Sequence, residues 1–313
     1  GDGSWTLTPA QLSGLTITPP SDSNENFDLT VTSTSTENDG DTATTSSQIT
    51  VSVTGDADAP TLSTQNASGT EDTAIALNIS SALTDTDGSE TLSVTISGVP
   101  DGANLSAGTN NGDGSWTLTP AQLSGLTITP PNNSNENFDL TVTATSTEND
   151  GDTATTSNQI TVNVTGDADA PTLTTQNASG TEDSAIALNI SSALTDTDGS
   201  ETLSVTISGV PDGANLSAGT NNGDGSWTLT PAQLSGLTIT PPSDSNENFD
   251  LTVTATSTEN DGDTATTSSQ ITVSVTGDAD APTLSTQNAS GTEDSAIALN
   301  ISSALTDTDG SET

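Results

Sequence analysis

FDLTVTATSTENDGDTATTSNQITVNV, residues 138–164, decides the fold. Phe138, Leu140 and Val142 alternate with Asp and Thr; Ile160, Val162 and Val164 alternate with Thr and Asn. Apolar residues at every second position mark half-buried strands. Threonine is β-branched and suits the solvent face of a strand. Asp150-Gly151 between the two runs is turn chemistry.

Working outward, the same alternation recurs at Ile75, Leu77 and Ile79, at Leu92, Val94 and Ile96, and at Leu126 and Ile128. Breaks fall at Gly69, Asp87-Gly88, Asp101-Gly102, Asp113-Gly114 and Pro130-Pro131. The reading is seven strands: A near 61–66, B near 73–79, C near 91–97, D near 115–119, E near 124–129, F near 137–147 and G near 153–165. A minor extra strand is expected at 103–106, and a single helical turn at Pro120–Ser124. Short strands with frequent turns predict an all-β, Greek-key β-sandwich of the immunoglobulin type.

This unit is repeated. GDGSWTLTPAQLSGLTITPP starts at Gly1, Gly112 and Gly223, a period of 111 residues. Residues 60–170 and 171–281 align without gaps. They differ only at Ser63/Thr174, Thr73/Ser184, Asn132/Ser243, Asn133/Asp244, Asn158/Ser269 and Asn163/Ser274. No apolar position changes, so each copy is expected to bury the same core. A unit of this size folds alone. The expected division is 1–59 as the C-terminal part of one copy, 60–170 and 171–281 as complete copies, and 282–313 as the start of the next. The chain reads as a slice of a longer array.

The charge balance narrows the function. The chain holds 43 Asp and Glu and no Lys, Arg or His. Nothing can neutralise phosphate, so nucleic acid and anionic membrane surfaces are excluded as partners. No run approaches the roughly 20 apolar residues of a membrane span. Low hydrophobicity with high net charge is also the composition of disorder, but strands recurring at fixed positions in every copy argue against it. With no Cys, there are no disulfides or thiolate metal sites. An enzyme is not expected, since His, Lys, Arg, Cys and Tyr are all missing. A carbohydrate-binding module is disfavoured by one Trp and one Phe per unit. Trp116 is read as core and Asp113 as turn chemistry. The sequons at Asn66 and Asn78 are read as incidental.

Copies in a rod require the chain to leave each sandwich at the end opposite its entry, which an odd number of strands provides. The A–B, C–D and E–F loops then sit at the exit, and the B–C, D–E and F–G loops at the entry. Glu71 and Asp72 (A–B), Glu136 (E–F) and the linker Asp167 and Asp169 therefore converge on one seam. Asp196, Asp198 and Glu201 (B–C) and Asp261 and Asp263 (F–G) of the next copy meet them there. The equivalent seams gather Asp56, Asp58, Asp85, Asp87, Glu90, Asp150 and Asp152 before this one. After it come Glu182, Asp183, Glu247, Asp278, Asp280, Asp307, Asp309 and Glu312. No basic residue offsets these carboxylates. A hard dication held by six to eight oxygens would, and an oxygen-only donor set favours Ca2+. Each motif alone also has a plain reading: DTDG as a hairpin turn, GDADAP as a Pro-stiffened linker, Glu71-Asp72 as a solvated turn. Their convergence is the argument for calcium.

GTEDTAIALNISSALTDTDGSETLSVTISGVPDGA (69–103), the GDGSWTLTPAQLSGLTITPP segment and the GDADAP linker resemble the cadherin-like or Ig-like repeats of giant bacterial repeats-in-toxin surface adhesins. The resemblance runs the length of the chain. It implies tandem cadherin-like sandwiches, type I secretion, calcium at domain junctions and an adhesive tip held away from the cell. It places ligands at Glu71, Glu136, Asp167, Asp169, Asp196 and Asp198. The linker departs from the cadherin pattern in lacking Asn. The expected function is a calcium-stiffened extender, each sandwich spanning about 35–40 Å. The alternative is a repeat that self-assembles into an extracellular filament, sheath or biofilm matrix. The expected partners are neighbouring copies through calcium, and identical chains in a fibre under the alternative. The expected location is the bacterial surface or a secreted fibre.

Overall fold

The computed structural model describes residues 3–307 and 313. The chain divides into two compact units, Gly1–Thr165 and Gly166–Thr313.

In the first unit, β1 (Phe27–Thr36) and β2 (Thr42–Val51) form an antiparallel hairpin. A complete sandwich follows, built from β3 (Thr61–Thr64), β4 (Ala67–Thr70), β5 (Ile75–Ala76), β6 (Ile79–Ala82), β7 (Glu90–Ser97), β8 (Asn104–Leu105), β9 (Thr109–Asn110), β10 (Ser115–Leu118), β11 (Thr127–Thr129), β12 (Phe138–Glu148) and β13 (Thr153–Thr165). One layer is a six-stranded sheet in the order β4-β13-β12-β7-β10-β9. Facing it are a three-stranded sheet, β5-β11-β8, and the pair β3-β6. The second unit repeats this sandwich from Thr172 to Thr276.

The alternation read from the sequence is the alternation of faces. Val94, Ile96, Leu118, Leu140, Val142, Ile160 and Val162 line the inner side of the large sheet. They pack in one cluster with Ile75, Leu77, Leu126 and Ile128 from the other layer. Trp116 belongs to this core. The turn at Pro120–Leu123 is a 3-10 turn, closed by the Gln122 side chain accepting the Thr119 N–H at 2.8 Å, and it seats Leu123 in the core. The outer side of the large sheet is tiled with hydroxyls that pair across strands, as Thr143 and Ser157 do at 2.9 Å. Its one carboxylate on β12, Asp139, accepts from the Thr161 hydroxyl at 2.7 Å.

Three expectations need correction. Strand A is two segments: β3 pairs antiparallel with β6, and β4 crosses to pair in parallel with β13. The switch is fixed where the Asn66 side chain accepts the Thr161 N–H at 3.1 Å. Strand B is likewise split: β5 pairs with β11, a ladder the Leu77 N–H extends to the Leu126 carbonyl at 2.9 Å, whereas β6 pairs with β3. Gly69 is not a break: it lies inside β4, where a Cβ would come within 2.7 Å of Ile75 Cγ1. Its missing side chain serves close packing.

Candidate cation site at the sandwich ends

The entry end of the complete copy in the first unit is built around four acidic side chains. Glu90 is the first residue of β7 and Glu148 the last of β12; both point inward, at the mouth of the core. The loop between β6 and β7 is shaped by its own carboxylates. Asp85 Oδ1 accepts the Asp87 N–H at 2.7 Å, and Asp87 Oδ1 accepts the Ser89 N–H at 2.7 Å. These side-chain-to-backbone bonds are the usual business of Asp in turns, and the Ser89 bonds hold the Asp87 carboxyl below the ordinary aspartate range. They leave Asp85 buried. Ser89 Oγ then donates to Glu148 Oε1 at 3.0 Å.

The incoming linker lies against this end. Asp58 N–H donates to Glu90 Oε1 at 2.7 Å, and Ser146 Oγ donates to the Asp58 carbonyl. Ala57 N–H donates to Asp152 Oδ2 at 3.1 Å, and Asn24 Nδ2 to Glu148 Oε2 at 3.3 Å. Asp22, Asp56, Asp58, Asp85 and Glu148 line one cleft of about 380 Å³. Glu90 Oε2 is buried with no hydrogen-bond donor. Burial lifts the Glu90 carboxyl above the ordinary glutamate range, and the Asp85, Glu148 and Asp58 carboxylates add to the rise against the pull of the Asp58 N–H. A buried carboxylate oxygen with no donor is costly.

The second unit repeats the arrangement. Glu201 Oε1 accepts the Asp169 N–H at 2.6 Å, while Glu201 Oε2 is buried without a donor. Ser200 Oγ donates to Glu259 Oε1 at 2.8 Å, and Asp196 is buried. Burial again raises the Glu201 carboxyl, with Asp196, Glu259 and Asp169 contributing.

The exit end is built from the opposite loops. In the second unit Glu182 N–H donates to the Thr276 carbonyl at 3.0 Å, docking the turn on the last strand. Its buried side chain accepts the Asp278 N–H at 2.7 Å through Oε1, and Oε2 has no donor. Asp183 and Asp244 both adopt left-handed backbone, φ 57° and 55°. Asp and Asn tolerate that region better than other side chains. Asp244 N–H donates to Asp183 Oδ1 at 3.3 Å. Carboxylate oxygens of Asp183, Asp244 and Asp280 lie within 4.8 Å of one another. In the first unit Asp72 and Asn133 take the same backbone, with Asn133 N–H on Asp72 Oδ1 at 3.0 Å. Glu71 is buried and its N–H donates to the Thr165 carbonyl at 3.0 Å.

The residues expected from sequence therefore distribute unevenly. Asp58, Asp85 and Glu90 meet at one end; at the other Asp183 and Asp280 meet, and Glu182 is buried against the Asp278 N–H. Glu136 and Glu247 are exposed. Asp150 and Asp261 are exposed in hairpin turns, where each accepts the N–H two residues on. Asp87, Asp198, Asp56 and Asp278 are exposed, Asp307 is buried, and Asp309 and Glu312 lie outside the described residues. Asp263 Oδ2 accepts the Ala168 N–H at 3.4 Å, in the linker that also carries the exposed Asp167. The sequence reading missed Glu148 and Glu259, and also Asp244. Glu148 continues the inward parity of Phe138, Leu140, Val142 and Ala144, so following that strand two residues past Ser146 finds it.

Among the described residues no helix is long and apolar enough to cross a membrane. No family model matches the chain, and no curated protein matches it. Among solved structures the chain is similar to mouse cadherin-23 EC22–24, at 17% identity over 80% of this chain and 74% of that one, with a TM-score of 0.36. It is also similar to protocadherin gamma B2 extracellular cadherin domains 3–6, at 14% identity, 83% of this chain, 59% of that one and a TM-score of 0.36. The human desmocollin-1 ectodomain gives 14% identity, 86% and 51% coverage and a TM-score of 0.32.

Proposed function

We propose that the chain is an extracellular extender: tandem β-sandwiches at 60–170 and 171–281, flanked by parts of further copies, with Ca2+ bound where copies meet. The observation that carries this reading is the buried, donor-less carboxylate oxygen at both kinds of end, Glu90 Oε2 and Glu201 Oε2 at the entry and Glu182 Oε2 at the exit. The chain has no cationic side chain to satisfy them. A hard cation fits this donor set, which is oxygen only. Asp58, Asp85, Glu90 and Glu148 would hold it on the entry side, and Glu182, Asp183, Asp244 and Asp280 on the exit side. When bound, calcium neutralises carboxylates that otherwise repel across the linker. The chain's own part is to fix the linker backbone to the next sandwich through Glu90 and Glu201, so that the ligands are gathered in advance. The repeats-in-toxin resemblance extends the proposal to a bacterial surface adhesin, with the array setting the reach of a binding tip.

Thermal unfolding of the full chain with and without chelator tests it. Binding to the folded state adds about 2.7 kcal/mol per site at 100 times Kd. Excess chelator is expected to lower the melting temperature by several degrees; an unchanged melting curve sinks the calcium assignment.

The outer hydroxyl face supports a second reading, lateral assembly into a fibre. The outward positions of β7, β12 and β13 hold a single carboxylate, Asp139, among the described residues. Two strongly acidic chains repel least along such a face. Sedimentation in millimolar calcium separates the two readings, since an extender stays monomeric.

A further inference from the structure

Gly55 and Gly166 open the two linkers that lead into the complete sandwiches. Neither has a backbone in the left-handed region, so conformation does not demand glycine at either place. Space does. A Cβ on Gly55 would lie 2.6 Å from Glu148 Cδ and 2.7 Å from its Oε2. A Cβ on Gly166 would lie 2.7 Å from both Cδ and Oε2 of Glu259. The two glutamates cannot swing aside freely. Each is buried, with Oε1 tied to a serine hydroxyl, Ser89 or Ser200, and Oε2 facing the next residue's N–H, Asn149 at 3.3 Å or Asn260 at 3.2 Å.

The third linker supplies an internal control. Gly277 holds the same place in the sequence, and among the described residues no counterpart of Glu259 lies against it. A Cβ there meets nothing closer than 3.4 Å, from Asn246 Nδ2 and Glu182 Oε1.

We propose that Gly55 and Gly166 are positioning residues of the cation site: the side chain they lack is the slot that seats the Glu148 and Glu259 carboxylates against the linker. This rests on the calcium reading above. An alanine in the slot pushes the carboxylate out of line without touching the apolar core. The consequence falls on the ion and spares the fold.

The test uses the full chain carrying Gly55→Ala with Gly166→Ala, beside wild type and Gly277→Ala. Calcium titration by calorimetry is paired with melting in excess chelator. The double variant is expected to lose about tenfold in calcium affinity, the scale at which groups orienting a ligand act, and to melt in chelator as wild type does. Gly277→Ala is expected to match wild type in both. Glu148→Asp with Glu259→Asp, one methylene shorter, is expected to make the glycine substitutions nearly silent. Equal affinity in wild type and the double variant overturns the slot while leaving calcium binding in place. So does an equal loss in Gly277→Ala. A wild-type chain that takes up no calcium overturns the function and the slot together.

Discussion

Residues 1–59 and 223–281 differ at one position, Ser33 against Ala255, yet they occupy different structural states. In the complete copy Trp227 is 9% exposed, Val253 and Ile271 are fully buried, and Ser226–Leu229 and Thr238–Thr240 are strands. In the first copy Trp5 is 89% exposed, Val31 47% and Ile49 51%, and residues 4–17 contain no strand. The hairpin survives: Phe27–Thr36 pairs with Thr42–Val51 in the same register as its counterpart. A hairpin closed by a short turn finds its partner locally. Ser226–Leu229 pairs with Thr202–Ser208, and Thr238–Thr240 with Ile186–Ala187 and Asn215–Leu216, strands that residues 1–59 do not include. Strand formation here is a property of pairing partners, with local sequence only permitting it.

That comparison can be broken most directly in the core. Ile271→Ala should cost about 3 kcal/mol, as buried aliphatic truncations do, while Ile49→Ala at the equivalent exposed position should leave the melting curve unmoved. Equal effects would mean that residues 1–59 are packed in solution. Next in size is the one natural difference. Ala255→Ser places a hydroxyl in a fully buried site and should cost about 1–2 kcal/mol. Ser33→Ala should be silent in the same assay.

The division between what is legible in sequence and what is not follows the same line. Faces were legible: Val94, Ile96, Leu140, Val142 and Ile160 alternate and all point inward. Partners were not. Nothing local says that Ala67–Thr70 should leave Ile79–Ala82 for a parallel partner some 95 residues on, since that choice is made by packing between layers. The end loops were assigned to the correct ends by strand parity. Within them, the eye is drawn to DTDG and NDGD turns, whose Asp side chains mostly serve their own backbone. The buried Glu148 and Glu259 sit instead at strand ends, where burial comes from the fold.

A smaller effect is expected with pH. Burial raises the Glu90 and Glu201 carboxyls, so the folded state holds protons that the unfolded chain has released. Their contribution to stability is complete below the ordinary glutamate pKa of about 4.3 and is lost as pH rises through the raised folded value. In chelator, melting temperature should rise as pH falls toward the ordinary glutamate value. Glu90→Gln with Glu201→Gln should flatten that trend, and a slope unaffected by the pair would assign it to other carboxylates. Smallest of all, Asp244→Asn keeps a residue that accepts the left-handed backbone and removes one charge from the group with Asp183 and Asp280. Calcium affinity at that end should weaken about threefold, under 1 kcal/mol, with melting in chelator unchanged.

The parallel ladder between β4 and β13 has a mechanical meaning. It joins a strand near the start of the copy to the strand at its finish, from Ala67 opposite Val162 to Thr70 opposite Thr165. Tension on the chain drags β4 back toward its N-terminus and β13 forward toward its C-terminus, so the two slide past each other. The Thr165 hydroxyl on the Gly69 carbonyl and the Glu71 N–H on the Thr165 carbonyl lie along the same seam. Every bond in it takes load at the same moment, where a hairpin peeled from its open end would give way one rung at a time. A copy pulled by its two ends is thus loaded in shear.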